Sequence, residues 1–193
     1  MKPIVTKKYL ALLIQSPTQK VLNILFHNPE KEFSLSDIAK EARVAKPHIG
    51  KILHELEILD FITITKLPKI WRIRADQQNS SFIKNKIIYN LHFLYQSGVI
   101  EFLNEYFNNP KSIILFGSFR RGEDFSTSDI DIAIETEEVT EYKSEKISEL
   151  KVFENSIGRN IQIHVFNRKN VDIHVFNNIA NGIVLSGFLE VRI

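Results

Sequence analysis

Cysteine is absent from this chain of 193 residues. Its absence excludes disulfides, thiolate nucleophiles and cysteine-ligated metals, and the six histidines lack the spacing of a zinc motif. No run reaches the roughly 18 to 20 apolar residues that a membrane-spanning helix needs. The start, MKPIVTKKYLALLI, is too short for a signal peptide and has no small-residue cleavage site. We therefore expect a cytoplasmic protein without a membrane segment.

A large excess of charge is also lacking, because the formal net charge is only +2. The total hides an asymmetry along the chain. Residues 1–76 contain 13 Lys and Arg against 8 Asp and Glu, whereas the remainder contains 12 against 15. A basic first part suits a polyanionic partner and an acidic second part suits cation binding, although charge alone decides neither.

Helical patterns occupy the region after residue 15. Ser16-Pro17 predicts the start of a first helix and Asn28-Pro29 its end. A second helix is expected at about residues 36–42 and, after a turn at 43–44, a third at about 46–59, because apolar residues recur there at spacings of three and four. The last two segments form a helix-turn-helix pattern.

Two short alternating runs follow, around Ile64 and around Trp71, and they bracket Lys66-Leu67-Pro68-Lys69. This pattern predicts a hairpin with a basic tip. Residues 16–75 as a whole resemble the winged helix-turn-helix family of transcription regulators. The resemblance implies that the third helix enters the DNA major groove and that the hairpin contacts the backbone or minor groove.

Basic side chains lie on the third helix, away from its apolar stripe, and on the hairpin. Lysine and arginine there would neutralise phosphates, and histidine could contact a base edge or a phosphate. The predicted DNA-contacting residues are Lys46, His48, Lys51, His54, Lys66, Lys69, Arg72 and Arg74. The alternatives are an ordinary solvated surface, or a winged helix that serves only for dimerisation or protein docking.

Residues 77–110 are expected to connect this winged-helix domain, residues 1–76, to a second domain. Their apolar residues predict two helices that are interrupted near Ser97-Gly98. We expect a homodimer, because an apolar helical connector often supplies the pairing that two-fold DNA sites require.

The segment KSIILFGSFRRGEDFSTSDIDIAIE contains the residues that predict a catalytic or ligand-binding site. Residues 113–116 predict a buried strand that leads into Gly117-Ser118, where a helix start would present backbone N–H groups to a phosphate. Glycine permits a close approach of the backbone, and serine adds a hydroxyl. The predicted nucleotide-binding residues are Gly117, Ser118, Arg120, Arg121 and Ser128.

Asp129 and Asp131 begin a run with period-two alternation, so both carboxylates should leave the same face of a strand. Two carboxylates about 7 Å apart repel each other unless a cation lies between them. Mg²⁺ binds through one or two carboxylates plus substrate phosphates, which predicts a nucleoside triphosphate as its companion. The alternative is a surface strand whose acids face water.

Gly-Ser, ten residues and Asp-x-Asp follow one another without a gap over residues 117–131. This region resembles the minimal nucleotidyltransferases of the DNA polymerase beta-like superfamily. The resemblance extends over residues 111–193, with a helix around 142–157, a strand at 160–166 and a helix after Arg168. It implies an α+β protein whose C-terminal domain has a small mixed sheet flanked by helices.

The same resemblance implies a reaction. A nucleoside monophosphate would pass from a nucleoside triphosphate, expected to be ATP, to an acceptor hydroxyl with release of pyrophosphate. Asp129 and Asp131 would be the catalytic residues and would hold Mg²⁺. The family usually supplies a third carboxylate from the later strand, but the equivalent position here is Gln162, which cannot act as a base. His164 and Asp172 are the nearby groups that could take a proton.

Three functional hypotheses follow. The first is an active nucleotidyltransferase with a DNA-binding module, and the resemblance implies an antitoxin that modifies a HEPN-type toxin and represses transcription. The second is a transcription regulator whose nucleotidyltransferase-like domain is inactive or weak and senses a nucleotide. The third is a protein in which both modules only mediate protein contacts.

Overall fold

The computed structural model of the protein describes residues 16–68 and 70–191. Within them the chain divides into two compact units, residues 16–89 and 90–191. The predicted DNA contact Lys69 and the N-terminal stretch MKPIVTKKYLALLI lie outside the described residues. In the described part of the chain, no helix is long and apolar enough to cross a bilayer.

Three helices open the first unit, and local side-chain caps fix where they start. They are α1 (Pro17–His27), α2 (Leu35–Ala42) and α3 (Lys46–Ile58). The Ser16 hydroxyl accepts a hydrogen bond from the Gln19 N–H at 3.1 Å, and Ser34 and Asp37 form a capping box. The predicted bounds of all three helices agree with the structure to within one residue.

A two-stranded hairpin follows, made of β1 (Ile62–Lys66) and β2 (Trp71–Ala75) in antiparallel register. The backbone of Phe33 pairs with that of Ile73, which fastens the segment before α2 to the hairpin. One apolar core joins the helices and the hairpin, and it includes Val21, Leu25, Phe26, Ile38, Ile49, Leu53, Leu56 and Ile73. Three helices followed by a hairpin form the predicted winged helix-turn-helix.

The next two helices are α4 (Ser80–Ser97) and α5 (Val99–Tyr106). They are interrupted where predicted, at Gly98, whose φ of 81° is left-handed. Phe82 of α4 packs into the core of the first unit, whereas Leu94 packs into a core of the second. The predicted connector therefore contributes side chains to both units.

The second unit is built on a five-stranded mixed sheet with the order β5-β6-β4-β3-β7. The β4–β6 pair is parallel and the other three pairs are antiparallel. The strands are β3 (Ser112–Phe116), β4 (Ile130–Glu135), β5 (Lys143–Glu145), β6 (Ile161–Phe166) and β7 (Ile183–Gly187). The helices of this unit after α5 are α6 (Gly117–Arg121), α7 (Lys151–Ile157) and α8 (Ile173–Ala180).

Alternation along β4 assigns its side chains to the two faces of the sheet. Ile132 and Ile134 join the larger core, which also contains side chains of α5 and α7. Ala133 joins a smaller cluster on the opposite face, together with Ile179 of α8. Asp131 shares the face of Ala133, so the polar site described below lies on the side of the sheet that carries α8.

The helix predicted at residues 142–157 is wrong in its first half. Lys143–Glu145 form the edge strand β5, and Ser148–Leu150 form a single 3-10 turn before α7. Strand β5 pairs antiparallel with β6, whose outer edge would otherwise lack a partner. Pairing with a distant strand therefore overrides the local helical tendency of this segment.

Candidate active site

The turn between β3 and α6 brings the glycine of the Gly-Ser pair against the second aspartate. Phe116 lies opposite Asp131 in the antiparallel β3–β4 pair, so Gly117 follows directly at that level of the sheet. Gly117 has a φ of +73°, and a Cβ there would lie 2.3 Å from Oδ2 of Asp131. Both the backbone conformation and the neighbouring carboxylate therefore require glycine.

The two predicted catalytic carboxylates each bond to a side chain from the β6 region. Asp129 immediately precedes β4, and its Oδ1 accepts a hydrogen bond from Nδ2 of Asn160 at 3.0 Å. Oδ1 of Asp131 lies 3.2 Å from Nε2 of His164. The parallel pairing of β4 with β6 thus supplies polar partners for both acids.

His164 is enclosed by two aromatic rings. The Tyr142 hydroxyl lies 2.5 Å from its Nδ1, and the two rings stack with centroids 5.9 Å apart. The Phe116 ring meets the imidazole edge-on at 4.9 Å. The pKa of Tyr142 is raised, first by burial and then by the negative charge of Asp131. Sequence reasoning missed Tyr142, because it was assigned to a helix.

Gln162 lies beside Asp131 in the register of β4 and β6. Its amide nitrogen donates to Oγ of Ser144 at 2.6 Å and to the backbone oxygen of Glu145 at 3.3 Å. The side chain therefore ties β5 to β6. Asp172, the other acid considered, accepts hydrogen bonds from the first N–H groups of α8 and so serves as its N-cap.

The remaining predicted nucleotide-binding residues fall into two groups. Ser118 and Arg120 lie on α6, and Nε of Arg120 is buried without a hydrogen-bond partner among the described residues. Arg121 instead pairs with Glu123 at 2.7 Å. The Ser128 hydroxyl accepts a hydrogen bond from the Phe125 N–H at 2.9 Å and so closes a turn. Arg121 and Ser128 therefore already have partners within the chain.

The loop between α6 and β4 contains Asp124, which forms a buried ion pair that was not predicted from the sequence. Oδ2 of Asp124 lies 3.1 Å from a guanidinium nitrogen of Arg159, and both side chains are almost fully buried. Nδ2 of Asn90 donates to Oδ1 of Asp124 and to the backbone oxygen of Phe119. These contacts fix the loop that carries the chain from Gly117 to Asp129.

The predicted DNA-contacting side chains of α3 are all exposed: Lys46, His48, Lys51 and His54. Two of them have acidic neighbours on the same helix. Nζ of Lys51 lies 3.9 Å from Glu55, and Nδ1 of His54 lies 3.9 Å from Glu57. At this exposure such pairs contribute little to stability, so the side chains remain available to another partner.

The basic side chains of the hairpin have closer partners than those of α3. Nζ of Lys66 lies over the Trp71 ring, 5.0 Å from its centroid. Nε of Arg72 and Nε of Arg74 lie 3.4 and 3.0 Å from the Glu32 carboxylate. Glu32 thus partly neutralises the two arginines that the sequence assigned to phosphate contacts.

Solved structures to which this chain is similar include two regulators and a mutant of one of them. The transcription regulator MepR of Staphylococcus aureus has a TM-score of 0.38 at 16% identity, over 54% of this chain and 76% of MepR. The adhesin competence repressor AdcR of Streptococcus pyogenes has a TM-score of 0.36 at 17% identity, over 53% of this chain and 77% of AdcR. A mutant MepR from a clinical isolate of S. aureus has a TM-score of 0.33 at 19% identity, over 45% of this chain, and this chain spans 64% of its length. Likenesses of this size do not define a function.

At the level of sequence, no curated protein matches the chain. A family model described as the nucleotidyltransferase domain does match, over residues 97–185. The match includes Gly117, both aspartates and the strand that carries His164. Residues 97–185 are therefore similar in sequence to the nucleotidyltransferase domain family.

Proposed function

We propose that this protein transfers a nucleoside monophosphate from a nucleoside triphosphate to an acceptor hydroxyl and that its winged helix binds DNA. The observation that carries the first part is the fit of Gly117 against Asp131, which a single added carbon would destroy. The close approach leaves one carboxylate oxygen beside the turn where a triphosphate would bind. Asp129 and Asp131 would be the catalytic carboxylates.

The donor set fits Mg²⁺. Asp129 and Asp131 offer hard carboxylate oxygens, and because residue 117 has no Cβ, Oδ2 of Asp131 lies directly against the turn that would hold the phosphates. Among the described residues, no group of three His, Cys, Asp or Glu side chains could hold a metal ion. We therefore propose that oxygens of the substrate phosphates complete the coordination of the cation. When bound, Mg²⁺ would stabilise the charge that develops on the transferred phosphoryl group.

The nucleotide would be held by α6 and the turn before it. The buried Nε of Arg120 still has a hydrogen to donate, and Ser118 lies one residue after the glycine. Arg120 would contribute its positive charge to the phosphates, since it follows Gly117 by three residues on the same short helix. We propose ATP as the nucleotide, and Arg121 and Ser128 as more distant contributors.

The proposed acceptor is a protein hydroxyl. The resemblance to minimal nucleotidyltransferases points to a HEPN-type toxin, which would make this protein an antitoxin that modifies its partner. A winged helix in the same chain suits a protein that also represses transcription, and two-fold DNA sites would call for a homodimer.

Transfer is tested by incubating the protein with α-labelled ATP, Mg²⁺ and cell extract. We expect a labelled protein, and we expect Asp129→Asn and Asp131→Asn to lower labelling by at least about 100-fold, because each removes a charge that aligns the phosphates. Asp60→Asn is a matched control: its φ of 54° is one that asparagine tolerates, and it lies in the first unit. Labelling that persists in both site variants would assign the activity to another site.

DNA binding is supported by the exposed basic side chains of α3 and by the helix-turn-helix arrangement. Lysines on an exposed helix neutralise phosphates irrespective of sequence, and the histidines would add contacts to bases or phosphates. Lys46, His48, Lys51 and His54 would contact the major groove. Lys66 and Arg72 would contact the backbone beside it.

A regulator that senses a nucleotide without transferring it is the second candidate. The observation that favours it is the amide of Gln162 beside Asp131, where a third carboxylate would serve catalysis. Nucleotide binding without any transfer, together with DNA affinity that responds to nucleotide, would support this candidate over the transferase.

A further inference from the structure

The Asp131 carboxylate lies at the end of a chain of two hydrogen bonds. An ionised carboxylate only accepts, so Nε2 of His164 carries the hydrogen that bridges the 3.2 Å to Oδ1. In the neutral imidazole Nδ1 is then an acceptor, and the Tyr142 hydroxyl donates to it across 2.5 Å. The carboxylate thus selects the tautomer with the hydrogen on Nε2, and the phenol is compatible with it because its hydroxyl can donate to Nδ1.

The imidazole at the centre of this chain has little freedom to move. Its side chain is 13% exposed, the Phe116 ring meets it edge-on and the Tyr142 ring stacks on it. Its donor nitrogen is therefore fixed in space, and it fixes one oxygen of Asp131. The second oxygen, Oδ2, lies against Gly117, 2.3 Å from the place that a Cβ would take. The two carboxylate oxygens thus have different surroundings, one beside the His164 donor and one beside the glycine of the turn.

Gln162 supports the same arrangement from the sheet edge. Its amide bonds to Ser144 and Glu145, which lie two and three residues after Tyr142. A carboxylate at position 162 could not donate either hydrogen bond. The residue that replaces the expected acid therefore holds the strand that places the phenol.

We propose that Tyr142 and His164 are positioning residues that orient the Asp131 carboxylate, with Oδ2 directed toward the cation and phosphates. The proposal rests on the proposed nucleotidyltransferase function. Neither residue needs to touch the substrate. Partners that orient a metal-binding side chain typically contribute about 10- to 100-fold to metal affinity or activity.

The test compares Tyr142→Phe, His164→Ala and His164→Gln with the wild-type chain. Two quantities are measured: the rate of labelling at saturating ATP, and the Mg²⁺ concentration that gives half of the thermal stabilisation by ATP, which needs no turnover. We expect Tyr142→Phe to lower the rate about 10-fold and His164→Ala about 10- to 100-fold. The half-maximal Mg²⁺ concentration should rise by similar factors, while KM for ATP changes less than about twofold.

Controls separate positioning from a general loss of structure. His164→Gln keeps an N–H donor and should recover part of the rate that His164→Ala loses. Tyr106→Phe and His174→Gln remove exposed side chains of the same kinds elsewhere in the unit and should change neither quantity. Wild-type values for Tyr142→Phe and His164→Ala in a protein that transfers and binds Mg²⁺-ATP would overturn this inference alone. A wild-type chain that neither transfers nor is stabilised by Mg²⁺-ATP would overturn the proposed function, and this inference with it.

Discussion

Single residues at the site are constrained by more than one contact, and Gly117 is the clearest case. Its φ of +73° disfavours any side chain, and its neighbour Asp131 leaves no room for one. His164 is constrained in the same way by Tyr142, Phe116 and Asp131. A substitution at such a position should therefore have two effects that can be measured apart: one on the free energy of unfolding and one on ligand binding.

Gly117→Ala tests this separation. The left-handed backbone should cost about 1–2 kcal/mol of unfolding free energy, because the added Cβ approaches the following carbonyl. The same Cβ would displace Oδ2 of Asp131, so labelling and stabilisation by Mg²⁺-ATP should both be lost. Urea denaturation gives the first quantity, and thermal shift with and without Mg²⁺-ATP gives the second.

Gly158→Ala is the matched control for the backbone effect. Gly158 has a φ of +70° at the end of α7, so alanine there should cost a similar free energy. Nucleotide binding should nevertheless survive. If Gly117→Ala also kept full nucleotide stabilisation, the fit between Gly117 and Asp131 would have no part in the site.

Elements whose signals are local could be predicted from the sequence, and those that depend on distant pairing could not. The cap at Ser16, the apolar spacing of the next two helices and the break at Gly98 were local signals that predicted the helices of the first half. Strand β5 has only three residues, and it forms because β6 offers an unpaired edge. The residues around Ser144 therefore contain no local pattern that predicts a strand.

The same distinction applies to the candidate site. Gly117, Asp129 and Asp131 lie within one motif of the sequence, whereas the partners of the two acids, Asn160 and His164, lie about 30 residues further along the chain. They reach the acids only through the parallel pairing of β4 with β6, whose register no local pattern encodes.

The element that should contact DNA is α3, and Lys51 near its middle tests that role. Lys51→Ala removes one phosphate contact, so we expect weaker binding to any duplex. The slope of log affinity against log salt concentration should also become less steep by about 1. Lys169→Ala removes another exposed lysine, in the second unit, and should leave binding unchanged. Fluorescence anisotropy over a range of salt concentrations measures both. Affinity that does not weaken with salt would contradict a phosphate-binding α3.

At the scale of the whole molecule, the two proposed functions fall in two compact units. The proposed DNA contacts lie within residues 16–89 and the proposed nucleotide contacts within 90–191, each unit with its own apolar core. A transferase needs no thermodynamic coupling between the two ligands. A nucleotide sensor requires it, because a ligand regulates DNA binding only through a coupling free energy.

Coupling is measured by the DNA affinity of the full chain with and without Mg²⁺ and α,β-methylene ATP, which occupies the nucleotide site but cannot release pyrophosphate. We expect the two affinities to agree within about twofold, because the proposed function assigns the ligands to separate units and asks neither to regulate the other. Regulation of the usual size would change the affinity about 5- to 150-fold, and DNA would change nucleotide affinity by the same factor. A reciprocal change that Asp131→Asn abolishes would make the nucleotidyltransferase domain a sensor of the winged helix, and Gln162 beside Asp131 would then mark the loss of a catalytic carboxylate.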